Sequence, residues 1–308
     1  MKKIYQFLLL TSLFFWLGNY ALHAQCTAAI NGTPCIGNTL SANYIGGLPD
    51  TVKWYKDGIL QLVRTKRNPV YAIAAGGGNT DAGQLYGPQD VFVDGAGNIY
   101  VVDGNRYRVQ KWVPGADTGI TVAGNNGKGT GLNQFFSPQG VYADNLGNVY
   151  VSDALMNRIT KWAPGASAGI VVAGGNGEGS AANQLNGPQN FCADVNGNIY
   201  IADRWNNRIQ KWAPGGIAGT TVAGGNGGGS AANQLIEPLD VAIDANNNLY
   251  IVDYYNYRVQ KWAPSAVTGT TVAGGNGYGS AANQFKFTTA ISVTSNGTIY
   301  VRDQDNYS

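Results

Sequence analysis

Apolar residues in this chain fall in short runs separated by glycine-rich and polar stretches. Between residues 91 and 124 the runs are VFVD, NIYVVD, RVQKW and GITVAG, bounded by DGAGN, VPGADTG and NNGKG. They are β-branched and aromatic, bracketed by turn residues, and too short for an amphipathic helix, so they predict strands. The pattern then recurs: NIYVVDGNRYRVQKW at 98–112 returns as NVYVSDALMNRITKW at 148–162, NIYIADRWNNRIQKW at 198–212 and NLYIVDYYNYRVQKW at 248–262, offset by fifty residues each time. A partial fifth copy, TIYVRDQDNYS, starts at Thr298. Four short strands per repeat predict a propeller blade, with a solenoid the weaker alternative. The glycines serve tight turns, where they adopt positive φ without steric cost.

The order of residues within a repeat is a proline, an apolar strand ending in Asp, then GN[IV]Y[VI]xD and N-x-R-[IV]-x-K-W. It resembles the NHL repeat, and the resemblance covers residues 69–308. It implies an all-β fold, a β-propeller of four-stranded antiparallel blades, usually about six in number. Here the complete repeats begin at Pro88, Pro138, Pro188 and Pro238, followed by two strands of a fifth. Either the propeller is incomplete at the C-terminus, the favoured expectation, or N-terminal strands complete the last blade and remove an exposed edge. VYAIAAGG at 70–77 resembles the fourth strand TTVAGG. Residues 26–68 are open to two readings. CIGNTLSANYIGGLPDTVKWYKDG resembles the cysteine and tryptophan strands of an immunoglobulin-like module, with Cys35 and Trp54 in those places, although a whole sandwich needs about 100 residues. Alternatively, VKWYKDG at 52–58 imitates VQKWVPG and supplies the third strand of a closing blade.

Residues 1–25 place Lys2 and Lys3 before an apolar run and end on small and polar residues, the layout of a secretory signal peptide cleaved near Ala24 or Gln25. A retained anchor is the alternative, but no basic stop-transfer cluster follows. The chain has 20 basic and 18 acidic residues, and without Lys2 and Lys3 the two are equal. A neutral chain lacks the electrostatic footprint of a nucleic-acid binder. The sole histidine, His23, also lies in the leader, so the mature protein has none for acid–base catalysis, a Ser-His-Asp triad or a zinc site. Cys26 and Cys35 are candidates for a disulfide in an oxidising compartment, while Cys192 in FCAD reads as a packed small side chain. No cofactor is expected.

The repeat provides its own control, because positions that recur in every blade build the blade and positions that vary are free for other work. Asp103, Asp153, Asp203 and Asp253 each precede an Arg by five residues and are expected to pair with it across a turn. Trp112, Trp162, Trp212 and Trp262 are expected to be packing residues. DGAGN and its equivalents read as hairpin turns rather than calcium loops. Variation falls between the Asp and the Arg, and at the third position of NGxG. Since strands alternate in direction, both loops should emerge on one face, presenting Arg106, Tyr107, Lys128, Arg204, Trp205, Tyr254, Tyr255, Tyr257 and Tyr278. Exposed Trp, Tyr and Arg dominate recognition surfaces. Asp90, Asn190 and Asp240, early in successive first strands, are placed at the mouth of the channel.

These features predict a secreted or cell-surface, non-catalytic propeller that binds an extracellular glycan, peptide or protein, with no membrane span in the mature chain. The resemblance also implies a second class, a lyase or lactonase around a channel metal, for which Asp90, Asn190 and Asp240 are candidate oxygen ligands. The third class is a structural spacer in a larger adhesin.

Overall fold

The computed structural model describes residues 83–294 and 296–304, together with four short segments of backbone: β1 (Tyr20–Ala21), β2 (Asn43–Tyr44), β3 (Thr51–Lys56) and β4 (Ile59–Gln61). The leader, the cysteine pair and VYAIAAGG fall outside these residues, apart from Tyr20 and Ala21. Each complete repeat forms one four-stranded antiparallel sheet. Blade 1 is β5 (Pro88–Val93), β6 (Ile99–Asp103), β7 (Arg108–Trp112) and β8 (Ile120–Gly124). Blade 2 is β9 (Pro138–Ala143), β10 (Val149–Asp153), β11 (Arg158–Trp162) and β12 (Ile170–Gly174). Blade 3 is β13 (Pro188–Ala193), β14 (Ile199–Asp203), β15 (Arg208–Trp212) and β16 (Thr220–Gly224). Blade 4 is β17 (Pro238–Ile243), β18 (Leu249–Asp253), β19 (Arg258–Trp262) and β20 (Thr270–Gly274). The architecture is a β-propeller. A fifth sheet has the order β21 (Phe287–Val293), β22 (Ile299–Gln304), β3, β4. In its register Thr51 faces Asp303 and Tyr55 faces Ile299, so Tyr55 rather than Trp54 stands where the other blades carry tryptophan.

The core lies between blades. Tyr100, Val102, Val109 and Phe135 of blade 1 pack on Val141, Val149, Val151 and Trp162 of blade 2, and the same positions meet at the next three junctions. The four tryptophans are almost fully buried. A Cβ added to Gly119 would stand 2.7 Å from the Trp112 ring, so that glycine is needed for close approach.

The hairpin turns are fixed by their aspartates. Asp94 Oδ1 accepts the N–H groups of Ala96 and Asn98, both at 2.9 Å, while Oδ2 accepts from the Asn98 amide and the Tyr100 hydroxyl. Burial opposes ionisation of Asp94, but these hydrogen bonds outweigh it and hold the carboxyl below its usual range. Across the sheet, Lys111 lies over the Tyr100 ring, an arrangement repeated by Lys161, Lys211 and Lys261 over Tyr150, Tyr200 and Tyr250. This accounts for the lysine of the repeated KW pair.

In each of these blades the register shifts just after the leading proline: Pro88 faces Asp103, but the next pair is Val91 with Val101. Such a bulge re-aims the residues inside it. Here it leaves Asp90, Gly140 and Asn190 out of the ladder, while Asp240 still faces Val252.

Candidate functional site

The turn between the second and third strands carries the recurrent frame. Arg108 Nε donates to Asp103 Oδ2 at 2.8 Å, and Arg208 and Arg258 do the same to Asp203 and Asp253 at 2.6 Å. Arg158 departs from the pattern in lying 3.8 Å from Asp153, but it keeps the carbonyl contacts, to Thr130 and Gly131, that Arg208 makes to Ser180 and Ala181. All four aspartates are fully buried. Between Asp and Arg the chain makes one turn of 3-10 helix ended by a left-handed residue, at Tyr107, Asn157, Asn207 and Tyr257. Asparagine tolerates that conformation through local hydrogen bonding, whereas tyrosine is rare there.

This one position divides the junctions between blades into two kinds. Where it is asparagine, the side chain crosses to the next blade: Asn157 Oδ1 accepts the N–H of Gly187 at 2.8 Å, and Asn207 Oδ1 that of Glu237 at 2.9 Å. Gly187 and Glu237 are themselves left-handed, with φ of 62° and 48°. Where it is tyrosine, the next blade's own aspartate takes that N–H. Asp153 accepts from Ser137 at 2.8 Å, and Asp303 from Phe287 at 3.0 Å. Ser137 and Phe287 stay outside the left-handed region.

The loop residues singled out from sequence fall into separate groups. Tyr254, Tyr255, Tyr257 and Tyr278 form one aromatic cluster at the junction of blades 4 and 5. Tyr254 and Tyr255 meet edge to face at 4.8 Å, Tyr257 and Tyr278 at 5.5 Å, and Phe287 joins Tyr278 at 5.8 Å. Tyr255 and Tyr278 keep 48% and 53% of their surface exposed. Next to them, Arg204 donates through Nε and Nη2 to Glu237 Oε2 at 2.8 and 2.6 Å and lies near the Trp205 ring. Trp205 covers Gly187, where any Cβ would meet its ring at 2.7 Å. Burial raises the Tyr254 hydroxyl above its ordinary pKa, and the charges of Arg204 and Glu237 also act on it, so the ion pair and the aromatic cluster are neighbours.

Tyr107 and Lys128 belong to the junction of blades 1 and 2, whereas Arg106 turns to the segment that leads into blade 1. Arg106 donates to the Gln84 carbonyl at 2.8 Å, and the Lys128 ammonium sits 4.2 Å from the centre of the Phe136 ring. Tyr107 lines a shallow pocket of about 140 Å³ together with Gln89, Asn105, Phe136, Ser137 and Gln139, with Gly104 among its walls.

Asp90, Asn190 and Asp240 sit on the first strands, apart from the loops. Asp90 Oδ2 accepts the N–H of Val141 at 2.9 Å, and Asp240 takes Ile291 and Val241, each at 2.8 Å. These carboxylates tie one blade to the next, and Asn190 hydrogen-bonds Asp240. Burial pushes Asp90 up to about 7 against the pull of the Val141 and Val91 amides. Asp240 is raised further, by burial first and then by the charge of Asp90. Among the described residues no three histidine, cysteine, aspartate or glutamate side chains gather as metal ligands. Two carboxylates already engaged by backbone amides, with one amide beside them, fall short of the six to eight oxygens that calcium takes. Burial also pushes the Cys192 thiol up, the reverse of what a nucleophile needs.

Sequence reading missed Phe287 and Glu237. The signal was present as a spacing of 33 residues across blades, since Arg204 meets Glu237 and Tyr254 lies near Phe287, where Gly104 and Ser137 hold the equivalent places.

Comparison with known proteins agrees with this architecture. A search of curated proteins found no match. Among solved structures, a nidogen/laminin complex matches with TM-score 0.51 at 16% identity, covering 79% of this chain and 81% of the other. An auxiliary nutrient binding protein from Bacteroides ovatus matches with TM-score 0.50 at 14% identity, covering 74% of this chain and 61% of the other. A streptogramin B lyase matches with TM-score 0.47 at 12% identity, covering 72% and 71%. At these identities the likeness shows the fold alone. No helix among the described residues is long and apolar enough to cross a membrane. Residues 185–212 and 235–262, in blades 3 and 4, match the NHL repeat family, and the architecture that carries them is a β-propeller of four-stranded antiparallel blades.

Proposed function

We propose that this propeller is an exported, non-catalytic binding module that recognises an extracellular glycan, peptide or protein through its loop face at blades 3 to 5. One observation carries the reading: rings from two loops and from the start of β21 converge into a single cluster whose outer members remain half exposed. Rigid rings bury much area at low entropic cost, and the neighbouring Arg204–Glu237 pair supplies a polar rim. The engagement of Asp90 and Asp240 with backbone amides argues against the channel-metal enzyme. Export is supported by the composition of residues 1–25. The pairing of β22 with β3 supports assigning residues 51–61 to the propeller rather than to an immunoglobulin-like module.

The test is a Tyr255→Ala/Tyr278→Ala double variant compared with wild type on a glycan array and in pull-downs from extracellular extract. Both side chains are half exposed, so the melting temperature should hold while retention of the ligand falls at least tenfold. Unchanged retention would remove the proposed face.

A further inference from the structure

The junction of blades 1 and 2 differs from the other tyrosine junction in being open. At blades 4 and 5, Tyr254 and Phe287 fill the space between the two turns, and at blades 3 and 4 Arg204 and Glu237 close it with an ion pair. At blades 1 and 2 the same two places hold Gly104 and Ser137, and a pocket of about 140 Å³ remains.

We infer that this pocket is a subsite for one ring of a neutral carbohydrate. The inference rests on the reading of the propeller as a binding module, and adds a second contact point to it. None of the lining side chains is charged, and the nearby Lys128 ammonium is engaged on the Phe136 ring, so a neutral polar ligand fits the lining better than a carboxylate or phosphate. Gln89, Asn105 and Gln139 each offer a carbonyl oxygen and an NH₂ group, and Ser137 a hydroxyl. A sugar matches that mixture, since each hydroxyl both donates and accepts, and neighbouring hydroxyls can meet the two ends of one amide. The surface facing the pocket is polar almost throughout, so recognition falls to these amide and hydroxyl groups. The polar rim is held in place before binding: Gln139 Nε2 donates to Ser137 Oγ at 3.0 Å and Gln89 Nε2 to the Gly87 carbonyl at 3.2 Å. Preorganised groups lose less entropy on binding.

The chain itself supplies the variants. Ser137→Phe installs the residue of the equivalent position 287, where φ likewise avoids the left-handed region, and fills the pocket. Gln139→Leu installs the residue of position 239 and removes one amide. Wild type is screened on an array of neutral and anionic oligosaccharides, and the best-retained neutral one is titrated by calorimetry into wild type, both variants and Tyr255→Ala/Tyr278→Ala. The expected result is a loss of roughly tenfold in affinity for Gln139→Leu, about one hydrogen bond, and a larger loss for Ser137→Phe. Should Ser137→Phe fail to fold, Gln139→Leu decides alone. Retention of anionic sugars only, of no sugar, or of a neutral sugar equally by both variants would overturn the inference. Loss confined to the tyrosine double variant would also overturn it while supporting the aromatic face at blades 4 and 5.

Discussion

The loops at junctions 2/3 and 3/4 are crossed by an asparagine side chain and those at 1/2 and 4/5 are not, and the difference shows where the turn is left open to other side chains. At the asparagine junctions a crossing hydrogen bond is made in the loop, by Asn157 and Asn207, while the first strands carry Gly140 and Asn190, the latter reaching Asp240 of blade 4. At the tyrosine junctions the loop position holds Tyr107 and Tyr257, and the crossing bond comes from the first strand, through Asp90 and Asp240. Moving the bond inward frees the turn above it. The open pocket and the aromatic cluster both occupy turns freed in this way. The tyrosines there hold a backbone conformation that costs of order 1 kcal/mol or more outside glycine and asparagine, the kind of strain that collects at functional sites.

If the two kinds of junction rest on one frame, removing a frame aspartate should be expensive at either. Asp203→Ala leaves Arg208 and the Asn186 N–H without their acceptor, and Asp153→Ala leaves the N–H groups of both Phe136 and Ser137. We expect each to lose about 3–5 kcal/mol in urea unfolding. The arginines should part company, because Arg158 stands 3.8 Å from its aspartate where Arg208 stands at 2.6 Å. Arg158→Ala is therefore the cheaper change, and equal losses would show that the carboxylate contact contributes little.

Acidity should act most on the tyrosine junctions, where Asp90 and Asp240 make crossing bonds, since asparagine does not titrate. Asp90 ordinarily has a pKa near 3.8, and burial pushes it up to about 7 in the folded protein. Between those values the folded state holds more protons than the unfolded one, so this group's contribution to stability is full below about pH 4 and is lost as pH rises toward 7. Asp90 keeps part of its surface in contact with solvent, which discounts the effect to on the order of 1–3 kcal/mol. Unfolding measured at pH 4.5 and 7.5 should show that difference in wild type and a smaller one in Asp90→Asn, which keeps an oxygen for the Val141 amide. An undiminished slope in the variant would move the effect to Asp240 or elsewhere.

Much of this was legible in the repeat. Comparing like positions between blades identified the strands, the Asp–Arg frame and the buried tryptophans, because each recurs in every complete repeat. It also drew attention to Tyr257 and Tyr278 as variable loop residues, and their rings meet at 5.5 Å. The same comparison could not show the junctions, where unlike positions of adjacent blades meet. Glu237 looks unremarkable beside Gly187, and only the contact with Arg204 explains it. The hydrogen bonds of Asp90 and Asp240 to backbone amides of the next blade likewise leave no mark in the hydrophobic pattern. Left-handed backbone at Tyr107 and Tyr257 was hidden for a related reason: the residue type argues against it, and the surrounding frame imposes it.

That frame suggests the smallest and most discriminating change, exchanging the two kinds of residue. Tyr107→Asn puts the better-tolerated side chain into the left-handed position, where φ is 53°. It gains no crossing hydrogen bond, since the Ser137 N–H already belongs to Asp153. Relief of backbone strain, partly offset by lost ring packing, should raise stability by about 0.5–1 kcal/mol in thermal unfolding. The reverse change, Asn157→Tyr, adds the strain and strands the Gly187 N–H, and should cost more than Tyr107→Asn returns. If Tyr107→Asn instead destabilises the protein, the ring is holding the junction together, and the tyrosine junctions are an alternative way of closing the propeller rather than turns freed for a ligand.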